Sequence, residues 1–463
     1  MRDRMRRREC RNGDGASCIR GVPPPRIRGV ARRLGAAWIL ALACHAQAAT
    51  FAGDCEREAL QALGWRFVEA DVAAPAIEPG TPCDRASLAE AHAAGDLRVR
   101  VPATLDATQR AALHAELRAH PATVCAHGFA LGDSTRQAVD RLVANRGFRF
   151  SLLQVGWIGF GPTGSARDGW EPVASFGRAY RPRGRNSDAI AGFYAGEVRA
   201  ECGVGRQVAQ YAAQAELYGA AGFDTAFAAD EIVIGTFNQL RASDSVLLGS
   251  NAGEFVHDGL ARKASAQGRQ AFMGLPGFIF HVFDRRYLDD IHNQAENFVV
   301  YDVDAAAAAA LRAHGGFARY NARNREIWEL ARSLPPVDAR RYFERLLHER
   351  EPRLRAALDQ TSRATVARID ALLADPFYRG FQVYVHKLGV QPVGYHVVRL
   401  LDRNPRTPFR IELALHNVHT TLLQRYIDYR IDACGEARAT GRVAVAQPRQ
   451  PAGTASGAIT IAR

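Results

Sequence analysis

The 463-residue sequence predicts an α+β fold, and three observations predict it. A long helical pattern opens at Cys202, with apolar Val204, Val208, Tyr211, Ala212, Ala215 and Tyr218 at helical spacing. Short β-like runs (Glu231 to Ile234, Gly277 to Phe283, Phe298 to Tyr301) follow that helix in series. Further on, alternating apolar residues mark strands at Phe381, Val383 and Val385 and at Phe409, Ile411, Leu413 and Leu415. The length allows on the order of two to four domains, and 47% hydrophobic with 23% charged residues excludes disordered and collagen-like chains.

In chain order, residues 1–48 read as a signal peptide. LGAAWILALA (34–43) is a short apolar run behind Arg32 and Arg33, and Ala46, Gln47 and Ala48 form a small-x-small cleavage site. The run is too short for a permanent span, and no other stretch reaches 18 uninterrupted apolar residues, so no integral membrane segment is expected. Ala41 and Leu42 make a poor lipid-attachment box before Cys44. The expected location is therefore periplasmic or extracellular.

Residues 49–165 form an N-terminal module in which 103–119 has helical spacing through Leu105, Ala112, Leu113 and Leu117. Residues 166–320 form the α+β core. Residues 321–434 form a helical plus β module, with Pro335, Pro336 and Pro352 breaking its helices and Ile427, Tyr429 and Ile431 read as a last strand. Residues 435–463, rich in Gly, Ala, Pro and Arg, read as a flexible tail.

The formal charge of +12 suggests nucleic acid until it is located. Residues 1–48 hold eleven Arg and three acidic residues, which leaves +4 for the rest of the chain and no basic, aromatic stripe to bind nucleic acid. Only Lys263 and Lys387 among the 60 basic residues are lysines, a bias that high Ala and Gly make compositional. Cleavage would remove three cysteines and leave Cys55, Cys83, Cys125, Cys202 and Cys434. Five in an oxidising compartment implies two disulfides and one free thiol, with the connectivity open.

Several motifs fail on context. Gly159, Gly161 and Gly164 satisfy a dinucleotide fingerprint, but Gly169 and Pro172 prevent the helix that would meet a pyrophosphate. The HEREP stretch at His348 lacks a second histidine, and no CxxC pair occurs, so no metal or organic cofactor is implied.

Cys202 is different because it sits in the first turn of a predicted helix. Unpaired N–H groups and the positive helix end favour a thiolate there, drawing its pKa from about 8.5 toward neutrality. The same spacing also accommodates a buried free cysteine or half of a disulfide.

Sequence order around this cysteine resembles the small bacterial protein-glutamine gamma-glutamyltransferase (transglutaminase) family of spore coats, whose nucleophile lies in a run like FYAFECATA. Here Asp188, Ala189 and Ile190 precede Phe193, Tyr194 and Ala195, then Glu201 and Cys202. The Phe223-Asp224 and Ala226-Phe227 pairs and the run Ile232 to Ile234 follow in the family's order. Its GEN motif appears as Ala295, Glu296 and Asn297 before Phe298, Val299 and Val300, and its alanine-histidine-glycine step as Ala313, His314 and Gly315. The match covers about residues 170–320. The resemblance implies a papain-like, NlpC-like core that transfers acyl groups from protein glutamine to lysine or another amine. It makes Cys202 the nucleophile, Glu296 its principal partner and Glu201 an auxiliary acid or base, with His314 and Phe237 toward the substrates. Glu201 could equally serve the helix dipole. The sequence departs from the family in the alanine run 305–310, which lengthens the step from Glu296 to His314, and near Asn293, where the family has tryptophan.

Two other functions fit the same residues. An exported NlpC-like cell-wall cysteine peptidase or amidase would require a histidine base on a strand after the cysteine, with His281 first and His257 second. A non-enzymatic envelope binding protein would leave Cys202 inert.

Overall fold

The structure is a computed structural model that describes residues 60–78, 90, 97–150, 160–163, 168–173, 179–235, 245–247, 255–256, 268–282, 296–338, 342, 358–386, 388–403, 410–416 and 422–431. The expected leader and tail, and Cys55, Cys83 and Cys434, lie outside these residues.

The described elements begin with β1 (Arg66–Glu69), β2 (Ala76–Ile77) and β3 (Arg98–Val101), a small sheet in the order β1-β3-β2. Helix α1 (Ala107–Ala119) starts at Asp106, whose carboxylate accepts the Gln109 N–H while the Gln109 side chain returns to the Asp106 N–H. This reciprocal cap satisfies donors the first turn leaves open. Helix α2 (Pro121–Ala144) follows, then β4 (Phe148–Phe150), β5 (Phe160–Thr163), β6 (Trp170–Pro172) and β7 (Ala179–Pro182). Helix α3 (Asn186–Ala195) and strand β8 (Glu197–Ala200) lead directly into α4 (Cys202–Ala226). Strand β8 lies between β4 and β5, pairing parallel with the first and antiparallel with the second.

Beyond α4 come β9 (Ile234–Gly235), β10 (Phe255–Val256), β11 (Pro276–Val282) and β12 (Glu296–Val303). The chain then forms α5 (Ala305–His314), α6 (Ala318–Ser333), α7 (Gln360–Leu373) and α8 (Pro376–Gly380). It continues through β13 (Phe381–Val385), β14 (Gly389–Pro392), α9 (Val393–Arg403), β15 (Arg410–His416) and a helix α10 over 422–431.

A six-stranded antiparallel sheet in the order β10-β15-β11-β12-β13-β14 organises the molecule. Alternate side chains of a strand point to opposite faces. On one face Val299 and Tyr384 join a core with Val204, Val208 and Tyr211 of α4 and with residues of α2 and α3. On the other, Phe298, Val300, Val383 and Val385 pack with Leu311, Ile327, Ile369, Phe377 and Val397 of helices α5 to α9. The fold is thus mixed helix and strand, α+β.

Two expectations need correcting. The boundaries near 165/166 and 320/321 do not separate bodies: β13, β14 and β15 pair with β10, β11 and β12 in one sheet, β4 pairs with β8, and residues Ala48–Arg463 group as one unit. Hydrogen bonding between distant segments decides this, and composition does not register it. The segment containing Ile427, Tyr429 and Ile431 is helical, because Leu422, Tyr426, Ile427 and Ile431 share a buried helical face against Tyr218 and Phe227. Residues at i and i+4 satisfy both periods over so short a run.

Helix α4 runs past Gly219, where the backbone kinks at φ +70. Buried polar contacts hold α4 in place. Gln207 pairs in both directions with the Gly235 backbone at 2.9 Å, and the Tyr211 hydroxyl donates to the Glu231 carbonyl at 3.0 Å. At the far end Asp224 accepts the Ser187 N–H at 2.7 Å and hydroxyl at 2.8 Å, fastening the start of α3.

Candidate active site

Cys202 is a free thiol, partly buried, in the first residue of α4. The preceding residue, Glu201, is the helix cap: its two carboxylate oxygens accept the N–H groups of Gly203 and Val204, each at 2.7 Å. From across the sheet interface the Asn297 side-chain amide donates to the Cys202 sulfur at 3.3 Å.

The thiol pKa is not lowered. Burial and then the charge of Glu201 push it up to about 11, and donation from Asn297 only partly opposes them. The helix end contributes less than its position suggests because Glu201 already occupies the N–H groups that would receive a thiolate. The resting group is a neutral thiol, also hydrogen-bonded to the Glu201 carboxylate. One turn along, the buried Arg206 falls on the same helix face. Burial lowers its pKa to about 10, and the charges of Glu201 and Cys202 draw it back upward, so Arg206 remains a cation near neutral pH.

Glu296 does not join this group. Glu296 and Asn297 are consecutive in β12 and so face opposite sides of the sheet. Asn297 meets α4, whereas the Glu296 carboxylate is 5% exposed and binds Nδ1 of His396 at 2.6 Å and the Arg399 guanidinium, both on α9. Burial would raise the Glu296 pKa, but the hydrogen bonds and charges of His396 and Arg399 outweigh it and hold the carboxyl below its usual range. An ionised, fully engaged carboxylate on the far face cannot exchange a proton with Cys202, which overturns the expectation that burial would let Glu296 carry one.

His314 ends α5, with its ring against Tyr320 at 5.6 Å, and burial and Arg319 lower its pKa. It belongs to the helical layer opposite Cys202. Phe237, His257 and His348 lie outside the described residues; His281 falls in β11, but its side chain is not described.

Four further residues have roles that sequence reasoning missed wholly or in part. Asn297 was noted only as the end of a motif. His396 and Arg399 carried no signal, since pairing with Glu296 spans about a hundred residues. His386 was legible in part: if Phe381, Val383 and Val385 face one side, Tyr384 and His386 face the other. Val299 pairs with Tyr384, and Asn297 lies two residues before the first while His386 lies two after the second, so both fall on the face toward α4. The imidazole packs on Phe148 at 4.0 Å between centroids and meets the Tyr384 hydroxyl at 3.4 Å. Burial lowers its pKa to about 4, so it is neutral at pH 7. A Cβ on Gly205 would collide with His386, so only glycine permits this approach of α4 to the sheet.

Among the described residues no three His, Cys, Asp or Glu side chains gather where a metal ion could sit, and no helix is long and apolar enough to cross a membrane. Comparison with protein-family models, curated proteins and solved structures finds no match.

Proposed function

We propose that this chain is a cysteine-dependent acyltransferase that works through Cys202, with protein glutamine as acyl donor and lysine or another amine as acceptor. The observation that carries the reading is the placement of the Cys202 sulfur between the Glu201 carboxylate and the Asn297 amide at the start of a helix. A first-turn cysteine packed against an antiparallel sheet supports a cysteine-nucleophile reading, and the sequence order around Cys202 supports the transferase branch of it. The signal-peptide pattern expected over residues 1–48 would suit an exported enzyme.

Glu201 takes the role expected of Glu296. It accepts the thiol proton as sulfur attacks the glutamine carboxamide, forming the carbon–sulfur bond. The tetrahedral oxyanion finds a donor in the Asn297 amide and a positive field in Arg206. On collapse the carbon–nitrogen bond breaks, and ammonia leaves with the proton held by Glu201. The incoming amine then attacks the thioester, Glu201 accepts its proton, and the departing thiolate regains that proton as the new amide forms. A neutral resting thiol suits this sequence, because the proton needed for ammonia is stored in the site.

His386 favours a second reading, the cell-wall hydrolase, since it is a neutral imidazole on the sheet face shared with Asn297. Amine incorporation into a glutamine donor and muropeptide cleavage should be measured on the same purified chain, wild type and Cys202→Ala. The transferase requires incorporation that disappears in Cys202→Ala. Cleavage without incorporation establishes the hydrolase, and neither activity with an alkylation-resistant Cys202 establishes a binding protein.

A further inference from the structure

We propose that the buried Glu296, His396 and Arg399 cluster positions Asn297 against the Cys202 sulfur, which makes Glu296 a positioning residue for this site. The inference deepens the acyl-transfer reading and rests on it for its purpose.

Strand β12 is the link. Its residues 296 and 297 are consecutive, so the carboxylate and the amide are set by one stretch of backbone. On the helical side Glu296 is held at two points on α9, by His396 Nδ1 at 2.6 Å and by the Arg399 guanidinium. All three side chains are buried. A buried carboxylate with two charged or polar donors has one satisfied arrangement, and leaving either partner out strands a polar group in an apolar layer. The backbone at 296 therefore cannot rotate or slide without breaking that arrangement, and the Asn297 amide is held on the other face. Residue 297 serves the sulfur twice: its side-chain amide donates to Cys202 at 3.3 Å, and its backbone N–H donates to the same atom. Glu201, the cap of α4, also hydrogen-bonds the thiol, and Arg206 of α4 feels the charges of Glu201 and Cys202.

The test follows Cys202 alkylation by iodoacetamide across pH 6 to 11, with near-ultraviolet circular dichroism to confirm the fold. This readout requires no acyl-transfer activity. Loss of a hydrogen bond to a charged sulfur makes thiolate scarcer by about tenfold, so Asn297→Ala is expected to slow alkylation at pH 8 by that factor and shift its profile upward. Glu296→Gln should reproduce the shift with at least threefold slowing, and Glu296→Gln with Asn297→Ala should slow alkylation by less than the product of the two separate effects, because the side-chain donor can be lost only once. His396→Ala keeps the Glu296 and Arg399 pair and serves if Glu296→Gln fails to fold. It should slow alkylation about twofold, and His396→Asn, which restores a donor near Nδ1, should recover the wild-type profile. A wild-type profile in a folded Glu296→Gln or His396→Ala variant would overturn the proposal, as would effects of Glu296 and Asn297 that multiply. If wild type incorporates no amine while these alkylation results hold, acyl transfer fails and the positioning role stands.

Discussion

Replacing Glu201 with glutamine should move two properties of Cys202 in opposite directions. The carboxylate caps α4 through Gly203 and Val204, raises the thiol pKa by its charge, and in the proposed mechanism takes the thiol proton. Glutamine keeps one acceptor oxygen, so the helix should lose about 1 kcal/mol. A unit charge near 4 Å at an effective dielectric of 20 is worth about 4 kcal/mol, and solvent at this partly open site reduces that to about 1.5 to 3 kcal/mol. The thiol pKa should then fall from about 11 by about one to two units, since both the repelling charge and one claim on the helix N–H groups are gone. At pH 8 the thiolate fraction rises about ten- to hundredfold, and iodoacetamide should react faster by a similar factor. Amine incorporation should instead fall about 10² to 10⁴-fold, the usual loss when a general base is removed. Alkylation and incorporation should be timed on the same preparation, with Cys202→Ala setting the background. If both rates fall together, Glu201 acts only as a cap. If incorporation is unchanged, proton transfer through Glu201 is wrong.

Gly205→Ala would force a methyl group into His386, and overpacking of this kind costs about 1 to 3 kcal/mol; thermal unfolding should show a lowered Tm, and an unchanged Tm would contradict the close packing of α4 on the sheet. His386 has a folded pKa of about 4 against an ordinary 6.5, so its neutral form stabilises the fold above pH 6.5, and that contribution is lost as pH falls through 4. It amounts to roughly 3 kcal/mol. The stability gap between wild type and His386→Gln in urea titrations should therefore narrow between pH 6.5 and 4, and a constant gap would place the imidazole in contact with water.

Much of the local architecture was legible because it depends on neighbours in sequence. The helix opening at Cys202 and the strands at Phe298 to Tyr301 and Phe381 to Val385 follow from apolar spacing and are present; of the helix read over 103–119 the structure contains Ala107–Ala119, and of the run Phe409 to Leu415 it describes a strand from Arg410. The same reasoning misread residues 427–431, since a few apolar positions over five residues cannot separate a period of 2 from one of 3.6. It also divided a continuous sheet into modules, because β12 finds β13 across about 80 residues of intervening chain.

The site divides along the same line. Sequence alone determined that Cys202 begins a helix, that Glu201 sits where a cap belongs, and that Glu296 and Asn297 precede an apolar strand. It could even have shown that 296 and 297 face opposite ways. Only the tertiary structure decided which of the two meets the sulfur, because that depends on which face of β12 packs on α4 and which on α9. The electrostatics were decided there too: a helix end draws a thiol toward ionisation only while its N–H groups are open, and here a carboxylate already holds them.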